Sequence, residues 1–401
     1  MTSYLQDRTL YPPLIEVPPA PDLACVLVIP CYCEPQVDAL DLIAHCHRPS
    51  GSVELIILIN QAQNVGGEIT QANTSLFKSL QGRADLMPSW LQLHVIYLAD
   101  LPEKKAGVGM ARKIAMDEAV RRFEALRRDG LIINLDADCT IQPNYFTAIE
   151  THFAENVDGW SAGIKYEHAI SDLADDAPIV LYELHLRYFV KVQRWAGLPF
   201  AYQTLGSCMV VRSQAYQKMG GMNKRQAGED FYFLQKFIEV GRHTELFTTT
   251  VVPSARRSDR VPFGTGRAIG QIQKGQEQMT SAWQVFIPVK SMLENVSKYL
   301  DDASDEPGNP PGEPLLRFLQ QNNWEQKLVE IRENSASAEA RRDRFYKWFN
   351  SFRVMKYAHF ASEFIPDVRV RDLANSDFPG FLQEMKGLRP KEVLQYLRND
   401  A

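Results

Sequence analysis

The sequence predicts an α/β fold, with a mostly parallel, Rossmann-like sheet flanked by helices and a mainly helical region after it. Short, mainly apolar runs recur at 24–30, 53–59, 93–98 and 131–135, the first of them continuous, as strands buried on both faces require. Helical patterns alternate with these runs, which argues for a parallel sheet covered on both sides. After residue 275 helical patterning dominates, broken by an Asp-, Gly- and Pro-rich stretch at 301–314.

Taken in order, residues 1–24 carry Pro12, Pro13, Pro18, Pro19 and Pro21 and read as an extended arm on the surface. The run at 24–30 is the first strand, and 37–47 has a helical pattern. The second strand, 53–59, ends at Asn60, and the third, 93–98, leads to a glycine-containing loop at 104–109. Ala111, Ala115, Ala119 and Phe123 recur at helical spacing and predict an amphipathic helix. The fourth strand runs into Asp136-Ala137-Asp138. The chain thus divides into an arm (1–24), a main α/β domain (25–275) and a helical region (276–401).

Composition excludes several classes. With 44 basic and 49 acidic residues the net charge is −5, so bulk electrostatics gives no nucleic-acid footprint. No stretch approaches the ~20 apolar residues that span a bilayer. The first residues have neither a basic nor an apolar leader pattern, and a cytoplasmic setting is expected. The cysteines Cys25, Cys31, Cys33, Cys46, Cys139 and Cys208 need no disulfides in a chain of this size. Cys31, Cys33, His45, Cys46 and His47 match no common zinc spacing. A dinucleotide fingerprint is missing, since no glycine follows strand one, and Gly107-Val108-Gly109 is too short for a P-loop.

The chemistry gathers at the expected carboxyl ends of the strands, where ligands of such sheets bind. Read as the end of a strand, Asp136 and Asp138 share one face and repel unless a cation intervenes. A hard divalent ion held by carboxylates and substrate phosphates fits them; helix capping near Pro143 is the alternative. Glu229 and Asp230 follow Gly228 at the head of a helix over 231–240, as catalytic carboxylates or as first-turn residues that stabilise it. Arg256, Arg257, Arg260 and Arg267 surround Phe263-Gly264-Thr265-Gly266, which suits a phosphate, an anionic acceptor or a solvated basic loop. His185 and His243 are further candidate ligands or structural histidines. Trp195, Phe200 and Tyr202 are candidates for stacking on a ligand face or for core packing.

In their order these pieces resemble family 2 glycosyltransferases, which have the nucleotide-diphospho-sugar transferase (GT-A) fold, over roughly residues 25–250. Val28-Ile29-Pro30-Cys31-Tyr32-Cys33-Glu34 is similar to the family's strand followed by Pro-x-Tyr-Asn-Glu. Lys105-Ala106-Gly107 and Ala111-Arg112 resemble the segment beside the nucleotide, and Asp136-Ala137-Asp138 the Asp-x-Asp motif. Residues 205–212, Gly220-Gly221-Met222 and Gly228-Glu229-Asp230 resemble the acceptor-side half.

The resemblance implies a metal-dependent transferase of glycan or polysaccharide biosynthesis, moving a sugar from a nucleotide-diphosphate donor to an acceptor hydroxyl. It implies Mg²⁺ or Mn²⁺ on Asp138, with Asp136 on ribose or on the ion through water. It places Pro30, Tyr32, Glu34, Asn60, Lys105, Arg112 and Asp136 around the donor. Asp230 becomes the base, Glu229 orients the acceptor, and displacement proceeds with inversion; retention is the alternative among small-acceptor relatives. Asn60 stands where the family has an aspartate on the base, so uridine is not implied; a strand-end turn residue is its other reading. A binding protein without turnover on the same fold is the competing function.

Overall fold

The computed structural model describes residues 3–103, 106–225, 228–258, 264–301, 311–375 and 380–399. The chain packs as two compact units. The first comprises Met1–Ala169, Thr204–Ala255 and Arg260–Phe263; the second comprises Ile170–Gln203, Arg256–Asp259 and Gly264–Ala401.

The first unit is the α/β body. Its strands are β1 (Leu23–Cys31), β2 (Ser52–Ala62), β3 (Leu91–Leu101), β4 (Leu131–Asn134), β5 (Thr140–Ile141), β6 (Ser161–Tyr166), β7 (Met209–Arg212) and β8 (His243–Val252). They form an eight-stranded sheet in the order β3-β2-β1-β4-β7-β6-β8-β5. The half β3-β2-β1-β4 is parallel throughout, with Val28 opposite both Ile56 and Asn134. β7 runs antiparallel to β4 and β6, and the β6–β8 pairing is parallel again. The mostly parallel α/β sheet expected from the apolar runs is therefore present. Val26 to Ile29 and Leu55 to Ile59 are fully buried, as strands covered on both faces must be.

Helices α1 (Ser3–Asp7), α2 (Ala39–Ala44), α3 (Gly67–Gln81), α4 (Val108–Leu126), α5 (Tyr145–Glu155), α7 (Ser213–Lys218) and α8 (Glu229–Ile238) complete this unit, and α6 (Pro178–Trp195) belongs to the other. α4 differs from the amphipathic helix expected. It is buried on nearly every side, with Arg112, Lys113, Asp117, Glu118 and Arg122 all inside. Each needs a partner, because a buried charge without one is costly. Arg122 makes a bidentate pair with Glu54, at 2.6 and 2.8 Å. Asp117 accepts from Tyr4, Tyr216 and Lys113 at 2.7 to 2.9 Å.

The proline-rich arm supplies the remaining partners, and so it is not simply extended. Residues Ser3–Asp7 turn into a short helix that buries Tyr4 and Leu5. The amides of Leu14 and Ile15 donate to Glu118, at 3.2 Å each. Arg121 and Arg122 donate to the carbonyls of Tyr11 and Val17. The charges on α4 fix the arm, a requirement that its own proline content does not reveal.

The second unit is mainly helical. It holds α6, α9 (Thr265–Gln273), α10 (Ile287–Glu294), α11 (Val296–Leu300), α12 (Leu315–Gln321), α13 (Trp324–Glu333), α14 (Ala338–Trp348), α15 (Ser351–Ala361) and α16 (Pro390–Asn399), and a small pairing of β9 (Met279–Thr280) with β10 (Val368–Arg369). Glu183 on α6, fully buried, accepts from Arg187 at 2.7 Å and from Arg398 on α16 at 2.6 Å. Among the described residues no helix is long and apolar enough to cross a membrane.

Candidate active site

Asp136 and Asp138 lie beyond β4, not within it. β4 pairs with β1 and β7 only as far as Asn134, and Leu135 N then donates to Val28 O at 3.1 Å. Next the chain turns, with Cys139 N donating to the Asp136 carbonyl at 3.2 Å. Strand alternation thus does not set the two side-chain directions, contrary to the sequence reading. A turn sets them, pinned by Asp38 N donating to Ala137 O at 2.8 Å.

Arg112, in the first turns of α4, ties this turn to the start of α8. Its Nη2 donates to Asp136 Oδ1 at 2.5 Å, and its Nη1 donates to Glu229 Oε1. The guanidinium is almost wholly buried. Burial alone would pull its pKa down, but Asp136, Glu229 and Asp230 outweigh this and raise it above the ordinary arginine value. Arg112 is therefore a permanent cation among carboxylates.

Gly206 makes room for that cation, since a Cβ there would fall on the guanidinium. Its amide also donates to Asp230 Oδ2 at 2.9 Å. Gly206→Ala is expected to push Arg112 off its carboxylates and to cost roughly 1–3 kcal/mol, the usual range for overpacking. Urea denaturation measures this, and an unchanged midpoint would show that Arg112 yields freely.

α8 opens at Glu229, two residues before the expected start, behind Gly228 in the left-handed conformation (φ 69°). Glu229 is buried against Arg112, whereas Asp230 keeps part of its surface exposed. Asp230 also accepts from Phe231 N at 2.7 Å. Burial pushes the pKa of both carboxyls above the ordinary range, and Arg112 works against it.

Pro30 lies within β1, and Tyr32 and Glu34 follow the strand's end, with Glu34 itself buried. Between them Cys33 sits at φ 53°, its amide donating to Asn73 Oδ1 at 2.7 Å. Asn73 in turn donates to Gln61 Oε1, which also accepts from Tyr97, both at 2.9 Å. This network holds the loop after β1 against β2 and α3; Asn73 and Gln61 were missed because an isolated amide carries no sequence signal. Asn60 is buried and donates from Nδ2 to the Gly107 carbonyl at 3.3 Å, ahead of α4. Lys105 and Arg260 lie outside the described residues. Arg256, Arg257 and Arg267 belong to the second unit.

His243 bonds through Nδ1 to Ser161 Oγ at 2.8 Å, and burial lowers its pKa to about 3. His185 stacks on Phe189, and burial lowers its pKa to about 4. Burial thus favours the neutral imidazole at both positions. Trp195 packs edge-on against Trp283, and Phe200 is buried. All the cysteines are free thiols, only Cys33 being exposed.

Among the described residues no group of three or more His, Cys, Asp or Glu is arranged to hold a metal. The donor chemistry of the Asp136–Asp138 turn nonetheless suits Mg²⁺ or Mn²⁺. It offers hard carboxylate oxygens at a partly exposed turn, as expected for an ion shared with substrate phosphates instead of caged by protein.

No protein-family model and no curated protein matches the chain. Among solved structures it is similar to S. aureus TarS 1-349 in complex with UDP-GlcNAc, at 11% identity and TM-score 0.40, over 67% of this chain and 66% of that one. It is also similar to the mannosyltransferase PcManGT from Pyrobaculum calidifontis in complex with GDP-Man and Mn²⁺, at 13% identity and TM-score 0.40, over 96% and 89% of the two chains. A third is glucosyl-3-phosphoglycerate synthase from Mycobacterium tuberculosis, at 12% identity and TM-score 0.37, over 64% and 83%. The chain thus spans just under two thirds of the TarS structure. Likenesses this distant decide neither the function of this chain nor the roles of its residues.

Proposed function

We propose that this protein is a metal-dependent glycosyltransferase with a GT-A fold, acting in the cytoplasm on a nucleotide-diphosphate sugar and an acceptor hydroxyl, with inversion. The observation that carries this reading is the joining of two acidic motifs, distant in sequence, through one buried arginine: Asp136 and Glu229 both bind Arg112, and Asp230 stands beside them. Displacement at an anomeric carbon needs a base on the attacking side and charge stabilisation on the leaving side.

Asp230 is the base in this reading. It takes the acceptor's proton as the oxygen bonds to the anomeric carbon and the bond to the diphosphate breaks. Its amide donors from Gly206 and Phe231 fix the carboxylate, and its raised pKa suits proton acceptance. Glu229 positions the site through Arg112. Asp138, with Asp136, would hold Mg²⁺ or Mn²⁺, which when bound neutralises charge developing on the diphosphate. Pro30, Tyr32, Glu34, Asn60 and Lys105 are assigned to the nucleoside and diphosphate. Arg256, Arg257, Arg260 and Arg267 are assigned to phosphate or an anionic acceptor.

A thermal-shift panel of nucleoside diphosphates and their sugars, with and without Mn²⁺, tests the reading. A ligand at ~100 times its Kd adds about 2.7 kcal/mol of stability. Metal-dependent stabilisation by at least one nucleotide is expected, and Asp138→Asn should lose the metal-dependent part. No stabilisation by any of them would overturn the proposal. Stabilisation with no nucleoside diphosphate released in the presence of varied acceptors would favour a binding protein without turnover.

A further inference from the structure

The second unit carries a cationic cavity that the proposed reaction does not use. It encloses about 390 Å³ between α12, α13, α14 and α15. Lys327, Arg344, Lys347, Arg353 and Lys356 line it, against the single acid Glu330. Lys327 is paired with Glu330 at 2.6 Å, so that acid is already engaged. Arg344, Lys347 and Lys356 are exposed and form no ion pair with any described residue. Concentrating so many like charges around one concavity is unfavourable unless an anion relieves it.

One of these cations is built in place. Arg353 Nε donates to Trp348 O at 2.8 Å, Nη1 donates to Asn322 Oδ1 at 3.0 Å, and the guanidinium lies 4.2 Å from the centroid of the Trp348 ring. Its Nη2 has no partner among the described residues and remains available as a donor. Asn350, also in the lining, caps α15 by accepting from Arg353 N at 3.2 Å. The cavity thus meets the first turn of an eleven-residue helix, whose dipole adds positive potential. Fixed guanidinium, flexible ammonium groups and an aromatic wall together match a phosphorylated organic molecule better than a bare ion.

We propose that this cavity binds a small organic phosphate, either a soluble sugar phosphate or a phosphodiester lipid headgroup, at a site separate from the carboxylate cluster around Arg112. The full chain is titrated with fructose 1,6-bisphosphate in the presence of EDTA, followed by calorimetry. In parallel it is sedimented with phosphatidylglycerol–phosphatidylcholine vesicles and with phosphatidylcholine alone. Arg344→Glu/Lys347→Glu/Lys356→Glu should weaken binding by about tenfold or more, since charge-assisted contacts are reversed. These side chains are exposed, so its circular dichroism and Tm should stay at wild-type values; Lys347→Glu alone gives a smaller loss of the same kind, and Lys347→Arg none. Binding of the bisphosphate identifies a soluble ligand, and binding only to the phosphatidylglycerol vesicles identifies a headgroup. No binding of either below ~1 mM, a Kd worth only about 4 kcal/mol, would overturn the proposal. Equal binding by the charge-reversed variant would overturn it as well.

Discussion

Asp230→Asn should reduce sugar transfer by roughly 10²–10⁴-fold, the usual contribution of a positioned general base, while donor binding is retained. The substitution is nearly isosteric. The amide oxygen it introduces can still accept from Gly206 N, so the loop at 204–208 should stay in place. What is lost is a group able to take a proton. The pH profile gives a second readout. Burial raises the Asp230 carboxyl above the ordinary range, so the wild-type rate should climb with pH through that raised value and level off above it. Stability should move the opposite way. Between the unfolded and the raised native pKa the native state binds more protons than the unfolded one, so this group's contribution falls as pH rises through that window. In Asp230→Asn both the acidic limb of the rate and this part of the stability slope should disappear. Transfer at the wild-type rate would remove Asp230 as the base.

Arg112→Met should destabilise the protein by about 3–5 kcal/mol, the cost of leaving a buried carboxylate without its partner. The side-chain volume is roughly kept, so the loss is electrostatic and not a cavity effect. Glu229 is 2% exposed, so on losing the cation its carboxylate is left with little hydration. It should then bind a proton, and the destabilisation should shrink at low pH. Adding Glu229→Gln should restore part of the stability, which a merely structural arginine with no coupling to Glu229 would not allow. Urea unfolding of the two single variants and the double measures this coupling; additive losses would refute it. Activity should fall in Arg112→Met as well, because Asp136 loses the contact that orients it.

The class of fold was legible because it rests on local pattern. The runs that form β1, β2 and β4 are mainly apolar and rich in β-branched residues, and burial on both faces favours such runs. The candidate residues were legible for a similar reason: Asp136, Asp138, Glu229 and Asp230 are compact motifs readable within a few positions. What each of them touches was not. Arg112 reaches Asp136 across 24 positions and Glu229 across 117, and nothing in a helix-forming segment such as 108–126 shows which face the sheet will cover.

The sequence by itself therefore determined the class of fold, the places of β1 to β4 and of α4, and which compact carboxylate pairs stand near strand and helix ends, since short-range patterning carries that information. Only the tertiary structure decided that α4 is buried on almost every side, that the proline-rich arm serves its charges, and that Asp136 sits in a turn beyond β4. It also decided that a single arginine holds the two acidic motifs together. The physical reason is common to all of these. A buried charge must find its counter-charge wherever the chain brings one within hydrogen-bonding distance, and that partner is chosen by packing, not by sequence proximity.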